Sequence, residues 1–152
     1  MKYEIEFLDF SRDCKYLLFK DSFEELGMVN LTTFKRINTI FVEMGVEWEA
    51  EGIRISPEGQ KIYSAYSREN KITNVRRLGP SHIIIGDEMG TIRIFKYPCE
   101  EDRLGELHTG CYCAHMNHIR NIVVHPNLPY VITSAIYDRS VMLWKVQGLD
   151  MA

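Results

Sequence analysis

Five side chains that can bind a metal ion lie close together in the second half of the chain, namely His108, Cys111, Cys113, His115 and His118. A structural zinc site needs four nitrogen or sulfur ligands in a tetrahedron, and two of them commonly come from a C-x-x-C pair. Cys111 and Cys113 are instead separated by one residue, so on a strand both thiols lie on the same face. Because a cluster without a C-x-x-C pair is a weak metal signal, we predict an edge strand followed by a loop, with neither metal nor cofactor.

The motifs of common catalytic sites are missing from this sequence. It contains neither the G-x-S-x-G turn that presents a nucleophilic serine nor the G-x-x-x-x-G-K-[ST] loop that binds phosphates. Paired carboxylates occur at Glu24-Glu25 and from Glu100 to Asp102, but acid–base catalysis by such a pair requires burial, and these residues lie in predicted loops. We therefore predict that the protein is not an enzyme and has no catalytic residues.

The composition is that of a globular protein with a slightly acidic surface. Lys and Arg number 18 against 21 Asp and Glu, which gives a net charge of −3 and argues against nucleic-acid binding. No apolar run approaches the ~18 residues that a membrane-spanning helix needs, and the charged start of the chain does not resemble a signal peptide. Four cysteines are too few for a secreted disulfide framework. These features predict a cytoplasmic or cytoskeletal protein with reduced thiols and no membrane partner.

Short apolar or alternating runs separated by turn residues predict an all-β chain. The first group of predicted strands comprises residues 5–10, 16–19, 26–29 and 39–42. Residues 45–70 alternate less regularly, and we interpret them as a connecting insertion. The later predicted strands fall into two further groups, at 72–75, 82–85 and 91–95, and at 119–123, 130–133 and 141–144.

The third group of strands repeats the second. Residues 119–123 correspond to 72–75, and residues 141–144 correspond to 92–95. Phe95 and Trp144 occupy the same place in the two groups and are 49 positions apart, close to the ~40–45 residues of a propeller blade with one lengthened loop. Small four-stranded units repeated at this period predict a β-propeller.

The segment that starts at His115 and the stretch from Asp138 to Trp144 together resemble a WD-repeat unit. The resemblance implies a buried hydrogen-bonded network of a histidine, a strand serine or threonine, a turn aspartate and the strand tryptophan. The matching residues are His115, Asp138 and Trp144, with Ser134 as the candidate hydroxyl. Strict spacing places Ile136 where that hydroxyl belongs, so we expect a reduced network that serves the fold.

A narrower resemblance covers nearly the whole chain. Residues 86–99 are similar to the Gly-Asp-Asp-x-Gly-x-Val-x-Leu-Phe-x-Tyr-Pro-Cys stretch of echinoderm microtubule-associated protein-like proteins. Residues 46–48 and 57–59 resemble the connector that precedes the same blade in that family, and residues 8–17 resemble the blade before it. The resemblance implies tandem propellers that are found on microtubules and in cilia.

The predicted fold is therefore all-β, with four-stranded antiparallel WD-repeat blades in an incomplete propeller. We place one blade at about residues 1–45, a connector at 46–70, a second blade at 71–115 and an incomplete blade at 116–147. Three blades leave apolar faces without a neighbour, and unpaired strand edges invite aggregation. We expect the remaining blades to come from the rest of a longer chain or from another subunit.

The function implied by the resemblance is that of a non-catalytic scaffold for protein–protein binding, with tubulin, microtubules or ciliary and axonemal proteins as partners. The alternative is a generic WD-repeat adaptor in a signalling or ubiquitin-ligase complex. Because tubulin surfaces are acidic, an acidic chain must bind them through local patches or non-ionic contacts.

The candidate partner contacts are aromatic and basic side chains, namely Tyr63, Tyr66, Arg68, Arg76 and Arg77. Exposed aromatic residues beside arginine are enriched at protein interfaces. The two tyrosines are equally consistent with the core of a strand in the connector, and the adjacent arginines with a solvated strand.

Overall fold

The computed structural model describes residues 4–21, 26–37, 46–48, 50, 71–98 and 108–150, and every regular element within them is a β-strand. Within those ranges no helix is long and apolar enough to cross a membrane. The chain divides into two compact units, Met1–Pro57 and Glu58–Ala152. The predicted all-β class is confirmed, because the sheets that the structure describes in both units are antiparallel.

The first unit contains one four-stranded sheet whose strands follow one another in sequence order. Its strands are β1 (Ile5–Phe10), β2 (Tyr16–Asp21), β3 (Leu26–Asn30) and β4 (Lys35–Ile37). Alternation along the two central strands places Leu18 opposite Met28, and both side chains are buried. An antiparallel bridge pairs Ser11, directly after β1, with Trp48.

The first three strands of this sheet confirm the predicted runs at 5–10, 16–19 and 26–29. The fourth predicted strand, at 39–42, lies outside the described residues. Strand β4 was not predicted, since Lys35 and Arg36 interrupt any apolar pattern and the strand is only three residues long. The turn before it forms because the Asn30 side-chain oxygen accepts hydrogen bonds from the backbone N–H groups of Thr32 and Thr33, both at 2.9 Å.

The described part of the second unit forms two sheets. Four strands form the first, in the order β5 (Ile72–Arg77), β6 (His82–Asp87), β7 (Thr91–Lys96) and β8 (His108–Cys113). Three strands form the second, in the order β11 (Val141–Lys145), β10 (Tyr130–Ala135) and β9 (Ile119–Val124). All the strands predicted for this half of the chain are confirmed.

The two sheets of the second unit share one apolar core. Its buried members come from both sheets and include Leu78, Ile84, Ile92, Ile119, Ile122 and Val131. Close approach is possible because β6 carries Gly86, where an added Cβ would lie 2.9 Å from a methyl carbon of Ile119. Polar contacts reinforce this packing, since the Thr73 hydroxyl donates to the Ile119 carbonyl at 2.7 Å and the Asn74 amide donates to the Arg120 carbonyl at 2.8 Å.

Candidate functional site

The segment that follows β8 is held against the β6–β7 turn by the backbone of Gly90. Its carbonyl accepts hydrogen bonds from the N–H groups of Ala114 and His115, both at 3.0 Å. Gly90 has a φ of +80°, and a side chain at this position would meet the carbonyl of His115. Glycine is therefore required at this turn, and it sets the place at which His115 enters the interior.

A chain of hydrogen bonds runs from the loop after β8 through β10 to β11. His115 Nδ1 lies 2.8 Å from Asp138 Oδ2 and 2.9 Å from the Ser140 hydroxyl, while its Nε2 lies 2.8 Å from the Thr133 hydroxyl. The indole N–H of Trp144 donates to the same Thr133 oxygen at 2.9 Å. We call these five side chains the His115 network. It ties the loop that follows the four-stranded sheet to strands β10 and β11 of the three-stranded sheet.

One protonation pattern satisfies every member of the His115 network. The indole of Trp144 can only donate, so Thr133 accepts from it and donates its own hydrogen to His115 Nε2. In this pattern Nε2 accepts, and Nδ1 carries the hydrogen that is donated to the Asp138 carboxylate. No donor faces another donor in this assignment, so each of these polar atoms of the His115 network has a matching partner.

Asp138 is the charged end of the network. Its Oδ1 accepts from the backbone N–H of Ser140 at 2.9 Å and from the Ser140 hydroxyl at 2.8 Å. The pKa of Asp138 is lowered to about 2, mainly by the hydrogen bond from the Ser140 N–H. Burial raises the pKa, whereas the hydrogen bonds with the Ser140 hydroxyl and the His115 ring lower it further. Asp138 is therefore ionised at neutral pH.

The turn at Asp138 has a counterpart in the preceding sheet. Between β6 and β7, Asp87 Oδ1 accepts from the backbone N–H groups of Met89 and Thr91, both at 2.9 Å. Asp87 is only 1% exposed, and this burial raises its pKa despite the two hydrogen bonds. Both sheets thus use an aspartate to close the same turn, in agreement with the sequence repeat.

The low pKa of Asp138 predicts a loss of stability in acid. An aspartate has an ordinary pKa of 3.8, so below that pH the unfolded chain takes up a proton that the folded chain still excludes. The stability contributed by Asp138 is therefore complete above about pH 4 and is lost as the pH falls towards about 2. We expect the free energy of unfolding of Asp138→Asn to fall less between about pH 4 and pH 2 than that of the wild-type chain. Urea titrations from neutral pH to about pH 2 measure this difference.

The comparison with the wild-type chain removes the effect of the other carboxylates. Asp87 acts in the opposite direction, because a raised pKa adds stability at low pH. Curves for Asp138→Asn and the wild-type chain that run parallel below pH 4 would contradict the assignment of this carboxylate.

The order Thr133–His115–Asp138 resembles the hydroxyl–imidazole–carboxylate relay of hydrolases, but it has no access to a substrate. Thr133 and the side chain of His115 are both 0% exposed. The Thr133 oxygen also accepts from Trp144, whereas a nucleophile must reach a substrate carbonyl. The geometry suits a network that holds two sheets together.

The hydroxyl of this network belongs to Thr133 and not to Ser134, the predicted candidate. Along β10 the inward face carries Val131, Thr133 and Ala135, while Ser134 lies on the other face. The expectation that Ile136 leaves the network without a hydroxyl is also wrong. Ile136 is 41% exposed, and Thr133 supplies the oxygen. Ser140 was also missed, although an Asp-x-Ser turn is a local signal for such a contact.

Of the predicted partner contacts, the structure describes Arg76 and Arg77, both on β5. Tyr63, Tyr66 and Arg68 lie outside the described residues. Arg77 is 7% exposed and its guanidinium lies 3.8 Å from the ring centroid of Tyr97, so it is not available on the surface for a partner. Arg77 points inward because successive side chains of a strand point to opposite faces. Its neighbour Arg76 therefore lies on the other face of β5, where it is half-buried.

The cysteine pair lies on β8, at the edge of the four-stranded sheet. Cys111 and Cys113 are exposed and are not in a disulfide. Tyr112 between them turns to the other face, where its ring centroid lies 6.4 Å from that of Trp144. Across the described residues, no three His, Cys, Asp or Glu side chains converge in a way that could hold a metal ion.

The fold and the network define a class of protein built from small antiparallel β-sheets that repeat along the chain, with the four-stranded sheet as the unit. This is the architecture of partial propeller blades.

The comparisons with known proteins give distant relatives. Echinoderm microtubule-associated protein-like 1 from Mus musculus is 20% identical over 146 residues, a region that covers 93% of this chain. The proteins of the same name from Rattus norvegicus and Homo sapiens have the same identity and coverage. The chain spans 17% of the length of these relatives. No protein-family model matches the chain.

Proposed function

We propose that this chain is a non-catalytic, protein-binding scaffold made of WD-repeat propeller blades, and that it binds microtubules. The observation that carries the proposal is the similarity to three microtubule-associated protein-like proteins across 93% of the chain. Its place is then the cytoplasm and the cytoskeleton, including cilia. The proposed blades are those at about residues 1–45, 71–115 and 116–147, with a connector at 46–70.

Two features of the second unit support a scaffold. The His115 network and the shared apolar core join neighbouring sheets into one body, as a repeat architecture requires. The same aspartate turn occurs in both sheets, at Asp87 and at Asp138. A body of this kind offers rigid sheet edges and loops as binding surfaces, and the blades that complete it come from the rest of a longer chain or from another subunit.

Cosedimentation with polymerised microtubules tests the proposal. At low ionic strength we expect the chain to pellet with microtubules and to stay in solution without them. Because the chain has a net charge of −3, binding to an acidic surface depends on local basic groups. Arg76→Glu is therefore expected to weaken binding about threefold.

Arg120→Glu is the matched control for this experiment, since it makes the same charge change at an exposed position on β9. Equal weakening by both variants would point to net charge alone and would contradict a contact at Arg76. A folded chain that does not pellet contradicts microtubule binding and favours the adaptor in a signalling or ubiquitin-ligase complex.

A further inference from the structure

Two thiols lie side by side at the edge of the four-stranded sheet in the second unit. Cys111 and Cys113 are on β8, and both are exposed and free of a disulfide. Tyr112 between them turns to the other face, where it lies near Trp144, so the two thiols share the opposite face. Because β8 is the fourth strand of its sheet, the pair is exposed on a sheet that has every strand of the repeat.

The strand geometry holds these two thiols too far apart for a disulfide with each other. Residues two apart on a strand are separated by about 6.6–6.8 Å, and their Cβ atoms point in the same direction. A disulfide needs its two Cβ atoms within about 3.5–4.5 Å. Cys111 and Cys113 therefore remain two separate thiols for as long as β8 stays paired with β7.

Two sulfurs at this spacing suit a metal ion that binds two thiolates in a line. Each Sγ lies one bond beyond its Cβ, so rotamers that lean towards each other can bring the two sulfurs to about 4–5 Å. Two metal–sulfur bonds of about 2.3 Å placed end to end span about 4.6 Å. A zinc ion needs four ligands in a tetrahedron, which one pair does not supply. Thiolates select soft ions such as Cu⁺, which accepts two ligands in a line, so the pair fits copper(I).

The neighbouring strand places a positive charge beside the pair. A Cu⁺ ion held by two thiolates forms an anionic complex, which a nearby cation stabilises. Arg93 on β7 lies directly opposite Cys111 in the antiparallel register. Directly opposite residues share a face of the sheet, and their Cβ atoms are about 4.5–5.5 Å apart. The Arg93 guanidinium can therefore reach an ion bound between the two sulfurs.

We propose that Cys111 and Cys113 form a binding site for copper(I), with the two thiolates as its ligands and Arg93 as the neighbouring positive charge. On binding, each thiol releases its proton and its sulfur bonds to the ion, which stays Cu⁺, so no oxidant or reductant is consumed. The proposal replaces the expectation, drawn from the missing C-x-x-C pair, that this segment binds no metal. It depends on β7 and β8 alone and is independent of microtubule binding.

Titration of the reduced chain with Cu⁺ against a colorimetric copper(I) chelator, without oxygen, tests the site. We expect one tightly bound Cu⁺ per chain, in a complex that keeps the mass of the 17.8 kDa monomer. X-ray absorption at the copper edge should show two sulfur neighbours. Three or four sulfur neighbours, or a complex of twice the monomer mass, would mean that other thiols also hold the ion, and either result overturns the proposal.

Serine variants distinguish this pair from the other two cysteines of the chain. Cys111→Ser and Cys113→Ser should each weaken Cu⁺ binding more than about 100-fold, because even loss of a partner outside the ligand shell costs about 10–100-fold. The matched control is the double variant Cys14→Ser with Cys99→Ser, which keeps the pair and should bind Cu⁺ as the wild-type chain does. Cys14 is exposed like the pair, and Cys99 lies outside the described residues. A control that loses as much affinity as the pair variants contradicts the assignment.

Moving one thiol by one residue tests whether the shared face matters. The double variant Tyr112→Cys with Cys113→Ser keeps the number of thiols but places the two on opposite faces of β8. We expect this variant to lose Cu⁺ binding as Cys113→Ser does, with circular dichroism used to show that the chain still forms its sheets. Wild-type affinity in this variant would show that thiol number alone decides binding, and the proposed site would then be wrong.

Discussion

Replacing Thr133 with valine is expected to destabilise the unit Glu58–Ala152 by about 2–4 kcal/mol. Valine keeps the shape of threonine but removes the hydroxyl that accepts from the Trp144 indole and donates to His115 Nε2. The buried His115 ring and the partly buried Trp144 indole would then each have one polar atom unmatched, and each such atom costs about 1–3 kcal/mol. Urea denaturation followed by circular dichroism measures the change.

Ser134→Ala is the matched control for this prediction. Ser134 lies on the opposite face of β10, so we expect its loss to change the free energy of unfolding by less than about 0.5 kcal/mol. A larger effect at Ser134 than at Thr133 would show that Thr133 is not the hydroxyl of the network. Thr133→Ser should fall between the two, because it keeps the oxygen and loses only a buried methyl group.

Replacing Gly90 with alanine is expected to destabilise the same unit by about 3 kcal/mol or more, through two separate costs. A non-glycine residue in the left-handed region costs about 1–2 kcal/mol. The added Cβ would also meet the backbone carbonyl of His115, which can yield only if the loop after β8 moves. That loop carries His115, so the displacement would weaken its bonds to Asp138 and Thr133.

Gly148→Ala isolates the first of these costs. Gly148 has a φ of +75°, similar to the +80° of Gly90, but nothing lies within 4 Å of the Cβ that would be added. We therefore expect only the backbone cost of about 1–2 kcal/mol at this position. Equal losses at Gly90 and Gly148, measured by the same urea titration, would contradict the close contact with His115.

The strands were predictable because their signals are local. Alternation in β1 and the apolar run of β6 are visible within six residues, and the turns carry aspartate, asparagine or glycine where the chain reverses. Strand β4 was missed because a short strand with two charges has no such pattern and exists only by pairing with β3.

Part of the His115 network was also predictable. His115, Asp138 and Trp144 follow from the resemblance of the segment to a repeat unit, and the structure brings all three together through one hydroxyl. Counting residues back from the turn pointed to Ile136 and Ser134. Strand alternation from the buried Val131 would instead have pointed to Thr133, because residues two apart share a face.

Signals carried by neighbouring residues were enough to locate most of the described strands and turns, and the resemblance to a repeat unit was enough to group His115, Asp138 and Trp144. It took the tertiary structure to show that Thr133 completes the network and that Arg77 is buried against Tyr97. These properties depend on which face of a strand meets which distant neighbour, and that choice is made by packing between sheets, not by any short stretch of chain.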